Sequence, residues 1–365
     1  MSPGLNGALL PQVRLPRRAW FLAVGVACVW LSSAALCDDL DEKPVGLRIG
    51  LALDRVSAFS DTLGRSASVA YPLGSSVNPA AYDFLREPPF DFVNVGTLTT
   101  NFVTFETGAS VTGLSTSYAR RLPGAGTLFG TYIRTDSHDA VSRQGDEFAL
   151  RSNEVTFGYS RRLQQGLAVG GAVKLTDSFL GIQDKFMGLE RQTDSDSVGA
   201  DFKLGILAAL SEHWLAGFCG GAGWSDSDAA ATVAFPPPPI GPGRVRINDQ
   251  FATTSVNLRG GVGWRPSDQF GLYSDLQYLH LGNKLGSVDV GRVFVGAEAF
   301  ASPTVALRVG GSYDTEREAT FSAGLSYFGI KGVPIVAAYS YNPFPEVHHE
   351  FGLSHLVSLS VVFPF

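Results

Sequence analysis

The chain has 365 residues, 45% of them hydrophobic and only 17% charged, with a formal net charge of −6. That charged fraction is below the quarter usual for soluble domains, and the acidic balance excludes a nucleic-acid partner, which requires clustered Lys and Arg. The length admits one large β-domain or two ordinary ones, and the 42 glycines are dispersed rather than collagen-like.

Residues 1–37 read as a signal peptide. Arg14, Arg17 and Arg18 precede an apolar run from Ala19 to Leu31, and the small residues Ser32-Ser33-Ala34-Ala35 follow. Cleavage after Ala35 and after Cys37 are both compatible with this pattern. Ala34-Ala35-Leu36 is a poor lipoprotein box, and Arg17-Arg18 reads as a basic n-region rather than a twin-arginine signal. Removing the segment leaves 25 basic and 34 acidic residues, formally −9, and leaves Cys219 without a disulfide partner. Beyond the signal no segment offers the ~20 apolar residues of a membrane-spanning helix, although the apolar and aromatic content exceeds what a polar-coated soluble protein needs.

Residues 38–90 lack any long alternating run. "LGRSASVAYPLGSSVNPAAYDFL" (63–85) is rich in Ala, Ser and Gly and passes through Asn78-Pro79-Ala80. Proline pushes its predecessor out of the helical region and Asn bonds its own backbone, so Asn78-Pro79 is at minimum a turn. The apolar groups Val69, Tyr71, Leu73, Val77, Tyr82, Phe84 and Leu85 need cover, and a barrel lumen too wide for its own side chains supplies it. This expectation places Asn78, Pro79 and Ala80 at the periplasmic mouth or within the lumen, as a hatch or plug.

From residue 91 to 365 the pattern is strand, turn, strand, and it predicts one closed antiparallel transmembrane β-barrel of all-β class. About fourteen spans are expected, near 92–105, 108–121, 126–136, 147–162, 165–178, 197–211, 213–225, 251–265, 269–280, 291–300, 303–314, 318–329, 333–342 and 352–365, within limits of twelve to sixteen. A soluble sandwich also alternates apolar and polar faces. Three features favour the barrel. Runs reach nine to thirteen residues against ~5–6 in soluble strands. Trp214, Trp224, Trp264, Tyr313 and Tyr327 sit near run ends, as interface aromatics do. Short turns such as Leu122–Gly126 also alternate with longer polar loops, the longest expected over 225–250, where Pro236–Pro239 exclude strand pairing.

Side-chain parity then assigns the faces. Glu154, Arg162, Lys174, Asp201, Lys203, Arg259, Asp275, Arg292, Glu298 and Arg308 fall on polar faces and are expected to line the lumen. They serve either as a salt-bridged brace for the wall or as a polar lining for anionic headgroups such as fatty-acid carboxylates. Val357, Leu359, Val361, Phe363 and Phe365 alternate to the end of the sequence and are expected to face lipid. Asp194, Asp196, Asp226 and Asp228 fall in expected loops. His348-His349 with Glu346 and Glu350 reads as a solvated loop rather than a metal site. No Gly-x-Ser-x-Gly elbow and no phosphate loop is present, so an enzyme is not expected, nor a cofactor or metal.

The Ala/Ser/Gly-rich run into Asn78-Pro79-Ala80 just before strand one resembles the N-terminal hatch of the FadL-like outer-membrane family. The ending "GLSHLVSLSVVFPF" (352–365) is similar to the last strand of the PorV-like branch of that superfamily. The resemblance covers about a fifth of the chain, and a mature length of about 328 residues is short for a fatty-acid transporter. It implies an outer-membrane location, outer-membrane lipid and the barrel-assembly machinery as partners, with the C-terminal alternation as assembly signal. It also implies transport of a hydrophobic or amphipathic small-molecule ligand. The alternative is a PorV-like structural or partner-binding barrel without transport.

Overall fold

A computed structural model describes residues 78–84, 94–138, 140–186, 189–235, 244–284, 286–315, 319–330 and 333–364. The expected signal peptide, most of the 38–90 segment and Phe365 lie outside the described residues. The strands are β1 (Asn94–Phe105), β2 (Ser110–Leu122), β3 (Gly126–His138), β4 (Ala140–Val141), β5 (Glu147–Gln164), β6 (Leu167–Phe186), β7 (Leu189–Ala209), β8 (Trp214–Ala234), β9 (Arg244–Ser267), β10 (Phe270–Asn283), β11 (Gly286–Ser302), β12 (Val305–Asp314), β13 (Ala319–Ile330), β14 (Val333–Tyr341) and β15 (Ser354–Pro364). Each pairs antiparallel with its sequence neighbours. β4, two residues long, pairs with β5 alone, and β3 pairs directly with β5. β1 runs beside β15 from Val95↔Pro364 to Phe105↔Ser354, which closes the ring at fourteen strands. Closure removes both sheet edges, the condition for a sheet to sit in lipid.

The barrel is apolar outside and polar inside. On β1, Leu98 and Phe102 are exposed while Thr97, Thr99 and Asn101 are buried. The last strand repeats the pattern: Val357, Leu359 and Phe363 face outward, and Ser354, Ser358 and Ser360 inward. Among described residues, Val198, Phe202, Leu204, Phe218, Val295, Val309 and Phe321 extend the outer apolar belt, and Trp214, Trp224, Trp264, Tyr313 and Tyr327 are exposed with it. A single charge at mid-bilayer on such a face costs ~2–4 kcal/mol, so the alternation fixes register as well as face. One end carries short turns. Pro123-Gly124-Ala125 is one and Gln165-Gly166 another, with Gly166 at φ +80°, where a side chain would be strained. The first and last barrel strands also begin and end there, the periplasmic side in barrels of this kind.

At the opposite end the structure departs from the pattern in the sequence. β6, β7, β8 and β9 continue to Phe186, from Leu189, to Ala234 and from Arg244. The expected 225–250 loop is thus largely strand, with only the stretch around the four prolines, 236–243, outside the described residues. Asp194, Asp196, Asp226 and Asp228 lie in paired strands, Asp196 directly opposite Asp228. Above the bilayer both faces meet water, so the ladder persists without any apolar alternation to announce it. The 342–353 connection is also not a solvated loop. It forms a 3-10 turn, Pro345–Val347, and a one-turn helix α2 (His348–Phe351) in which Glu346, Val347, Glu350 and Phe351 are buried. The apolar cover that Val103, Phe105, Ala140, Phe148 and Leu356 provide is what draws this connection inward.

Candidate functional site: the lumen wall and the segment seated on it

The ten polar residues assigned to the lumen by parity are all partly or fully withdrawn from solvent. Glu154, Arg259, Asp275, Arg292, Glu298 and Arg308 are buried, and Arg162, Lys174, Asp201 and Lys203 are half-buried. Seven of them meet one another across neighbouring strands. Arg259 Nε donates to Asp275 Oδ2 at 2.6 Å with both side chains almost fully buried, and its guanidinium carbon stands 4.3 Å from the centre of the Phe294 ring. Arg308 Nε donates to Glu298 Oε1 at 2.8 Å, and Tyr273 Oη reaches the other carboxylate oxygen at 3.4 Å. Lys174 Nζ lies 3.1 Å from Asp201 Oδ2 and 3.6 Å from Glu154 Oε2. Paired in this way, charges in a low-dielectric wall are tolerated where single ones are not.

Glycines make room for these carboxylates. Asp275 is registered opposite Gly261 and Asp201 opposite Gly223. A Cβ on Gly261 would stand 1.5 Å from Asp275 Oδ1, and one on Gly223 1.8 Å from Asp201 Oδ1. Both carboxylates therefore lie flat against the neighbouring strand instead of projecting into the bore.

A second pair of glycines receives the N-terminal segment. Gly170 on β6 and Gly205 on β7 face each other in register near the short-turn end. A Cβ on Gly205 would stand 2.1 Å from Asn78 Oδ1, and one on Gly170 2.5 Å from the Pro79 carbonyl carbon. Asn78 Nδ2 donates to the Ile206 carbonyl at 3.1 Å, while its Oδ1 accepts the Ala80 amide at 3.0 Å, an Asx turn that fixes the bend at Pro79. Ala80 and Ala81 pack on Ala168 and Leu207. The chain then enters the short helix α1 (Ala81–Phe84), where Tyr82 stacks on Phe129 with ring centres 4.0 Å apart. Asp83 ties the helix to the wall: Oδ1 accepts from Thr127 Oγ1 at 3.1 Å, Oδ2 from the Arg162 amide, and its own amide donates to Ser160 Oγ at 3.1 Å. Asn78, Ala80, Ala81, Tyr82 and Asp83 are buried on the inner wall of β3, β5, β6 and β7.

Several of these residues escaped the sequence reading. Gly170, Gly205, Gly223 and Gly261 belong to alternating runs in which glycine is common, and only their cross-strand partners distinguish them. Asp83 follows the turn motif closely enough to have been considered. Glu346 pairs with Arg292 in a fully buried contact, although nothing local in the sequence marks an inward fold. Among the described residues no group of three His, Cys, Asp or Glu side chains is placed to hold a metal ion.

No protein-family model and no curated protein sequence matches the chain. Solved structures do resemble it. The toluene transporter TbuX of Ralstonia pickettii aligns with a TM-score of 0.64 at 15% identity, over 85% of this chain and 98% of that one. The CymD monoaromatic hydrocarbon channel aligns at 0.62 and 16% identity, over 85% and 97%. A FadL homologue of Pseudomonas aeruginosa aligns at 0.60 and 12% identity, over 85% and 98%. The first two are named as a transporter and a channel, and at such identities the likeness is one of architecture. The chain therefore has the fold of the FadL-type outer-membrane β-barrels.

Proposed function

We propose that the protein is an outer-membrane channel for small hydrophobic or amphipathic molecules, in which residues 38–90 act as a hatch. One observation carries this reading: a buried peptide segment, 78–83, is seated in a glycine notch on the inner wall at the short-turn mouth. A wall designed only for rigidity needs no such seat, since side chains in place of Gly170 and Gly205 would fill the same space. The chemistry of the lining favours uncharged ligands. Arg259, Arg308 and Lys174 are already engaged by wall carboxylates, so an anionic headgroup would have to displace an internal partner. Small aromatic hydrocarbons, named for two of the structural neighbours, are the first ligands to test.

Cells carrying the barrel should take up radiolabelled toluene faster than cells lacking it. Deleting residues 63–80 should leave a folded barrel, seen as a heat-modifiable band, with raised permeability to small hydrophobic solutes. Lost assembly without any change in flux would make the segment a folding plug. A folded barrel that accelerates neither alkylbenzenes nor medium-chain fatty acids would overturn the channel reading. It would favour a PorV-like partner-binding barrel, for which the β6–β9 wall rising beyond the apolar belt offers the surface.

A further inference from the structure

We propose that residues 342–353 form a hinged strap across the outer mouth of the bore, latched by Glu346 on Arg292 and able to swing clear. This rests on the channel reading and adds a second closure to it, at the end opposite the 78–84 segment. The strap is rooted between β14 and β15, yet it touches wall on both far sides. Glu346 pairs with Arg292 on β11, three strands beyond β14 around the ring in one direction. Phe351 packs on Phe148 of β5, ring centres 5.1 Å apart, four strands away in the other. Two residues this close in sequence reach such separated strands only if the segment crosses the lumen instead of following the wall.

Its attachments are those of a movable part. Asn342 at φ +49° and Gly352 at φ +75° turn the chain at either end. Between them no residue joins a sheet ladder. Backbone bonds to the strap are few and isolated, from Arg143 N to Glu350 O at 2.7 Å, from Thr107 N to Phe351 O at 3.4 Å and from Glu106 N to Leu353 O at 3.1 Å; the rest of the hold is the apolar contact of Phe344, Val347 and Phe351 with β1, β5 and β15, and the latch. A buried ion pair is a poor device for static stability, because apolar packing of equal volume does as well or better. It suits a reversible contact, since opening returns the carboxylate to water. Arg292 is not stranded when Glu346 leaves. Asp314, also buried, is registered directly opposite it on β12, so a wall acid lies on the adjacent strand at the same register.

A natural probe lies deeper in the bore. Cys219, inward and buried, is registered opposite Gly205 on β7 and Arg259 on β9, near the short-turn start of β8, so a reagent from outside reaches it only past the strap. The test is the rate at which a membrane-impermeant, charged thiol reagent added to intact cells modifies Cys219, read by mass mapping of the purified protein. Glu346→Gln should speed modification about tenfold, the factor carried by ordinary charge-assisted hydrogen bonding. Asp314→Asn, which removes the competing acid, should slow it, and replacing 345–351 by a Gly-Ser linker should speed it at least as much as Glu346→Gln. Opposite signs for Glu346→Gln and Asp314→Asn are the signature of a latch, because general loosening would accelerate both. An unchanged rate in heat-modifiable Glu346→Gln protein, or in the linker variant, would overturn the proposal. If Glu346→Gln fails to assemble, the Asp314→Asn and linker variants decide it. Thiol modification needs no hydrocarbon transport, so failure of the latch and failure of the channel reading give separate results.

Discussion

Removing one half of the Arg259–Asp275 pair should cost far more than removing both. The two side chains are 2% and 0% exposed and meet at 2.6 Å. Asp275→Asn leaves the guanidinium buried against Phe294 without the carboxylate it faces. Breaking a buried pair in this way costs ~3–5 kcal/mol, of which the cation–π contact to Phe294 returns at most ~1–2 kcal/mol and already exists in the wild type. Arg259→Met strands the carboxylate instead, flat against Gly261, at a similar cost. In the double variant Arg259→Met/Asp275→Ala both charges are gone, and what remains is a cavity term of ~1–2 kcal/mol. A double-mutant cycle followed by tryptophan fluorescence during urea unfolding in lipid vesicles should therefore give a coupling energy of ~3 kcal/mol or more. Strictly additive single effects, each below ~0.5 kcal/mol, would refute the burial and pairing on which the lumen description rests.

Two further outcomes follow from the geometry. Gly205→Val should leave the barrel assembled but unseat residues 78–84, because its Cβ alone would stand 2.1 Å from Asn78 Oδ1; protease cleavage near Tyr82, slow in the wild type, should become rapid, and unchanged protection would show the notch to be dispensable. Glu106, in the β1–β2 turn, is held below its ordinary carboxylate value first by the hydrogen bond from Arg143 and then by its backbone contact with Leu353. Its folded value being depressed, the contact is at full strength above the ordinary glutamate range and is lost as pH falls through the lower folded value. The Glu106 amide, which donates to Leu353 O at 3.1 Å, should be better protected from hydrogen exchange in the wild type than in Glu106→Gln near neutral pH, and that difference should vanish on acidification.

The membrane-embedded part of this protein was legible because lipid imposes a rule on every residue. Val293 and Val295 must face out and Arg292 and Phe294 in, whatever their neighbours, and the spacing of two carries that information in any short window. The same rule lapses above the bilayer, where Ser225–Asp228 pairs with Gln250, Phe251, Ala252 and Thr253 on β9 although its composition is that of a loop. The inward strap was invisible for a different reason: what recruits Phe351 is a set of aromatics from β1 and β5 that lie some two hundred residues or more away.

The glycines bring these levels together. A fourteen-strand wall needs side chains of any size on its inner face, so a glycine there weakens the strand by its own flexibility and by lost packing. Gly223 and Gly261 each lie under a carboxylate, and Gly170 and Gly205 under Asn78-Pro79. The first two keep the ion pairs within the thickness of the wall, where they brace β6, β7, β9 and β10 without narrowing the bore. The second two accept a peptide that no strand pairing holds. A wall that draws its own charges aside and keeps a recess for a separate segment is built around the space inside it, and that is the physical case for a conduit over a solid strut.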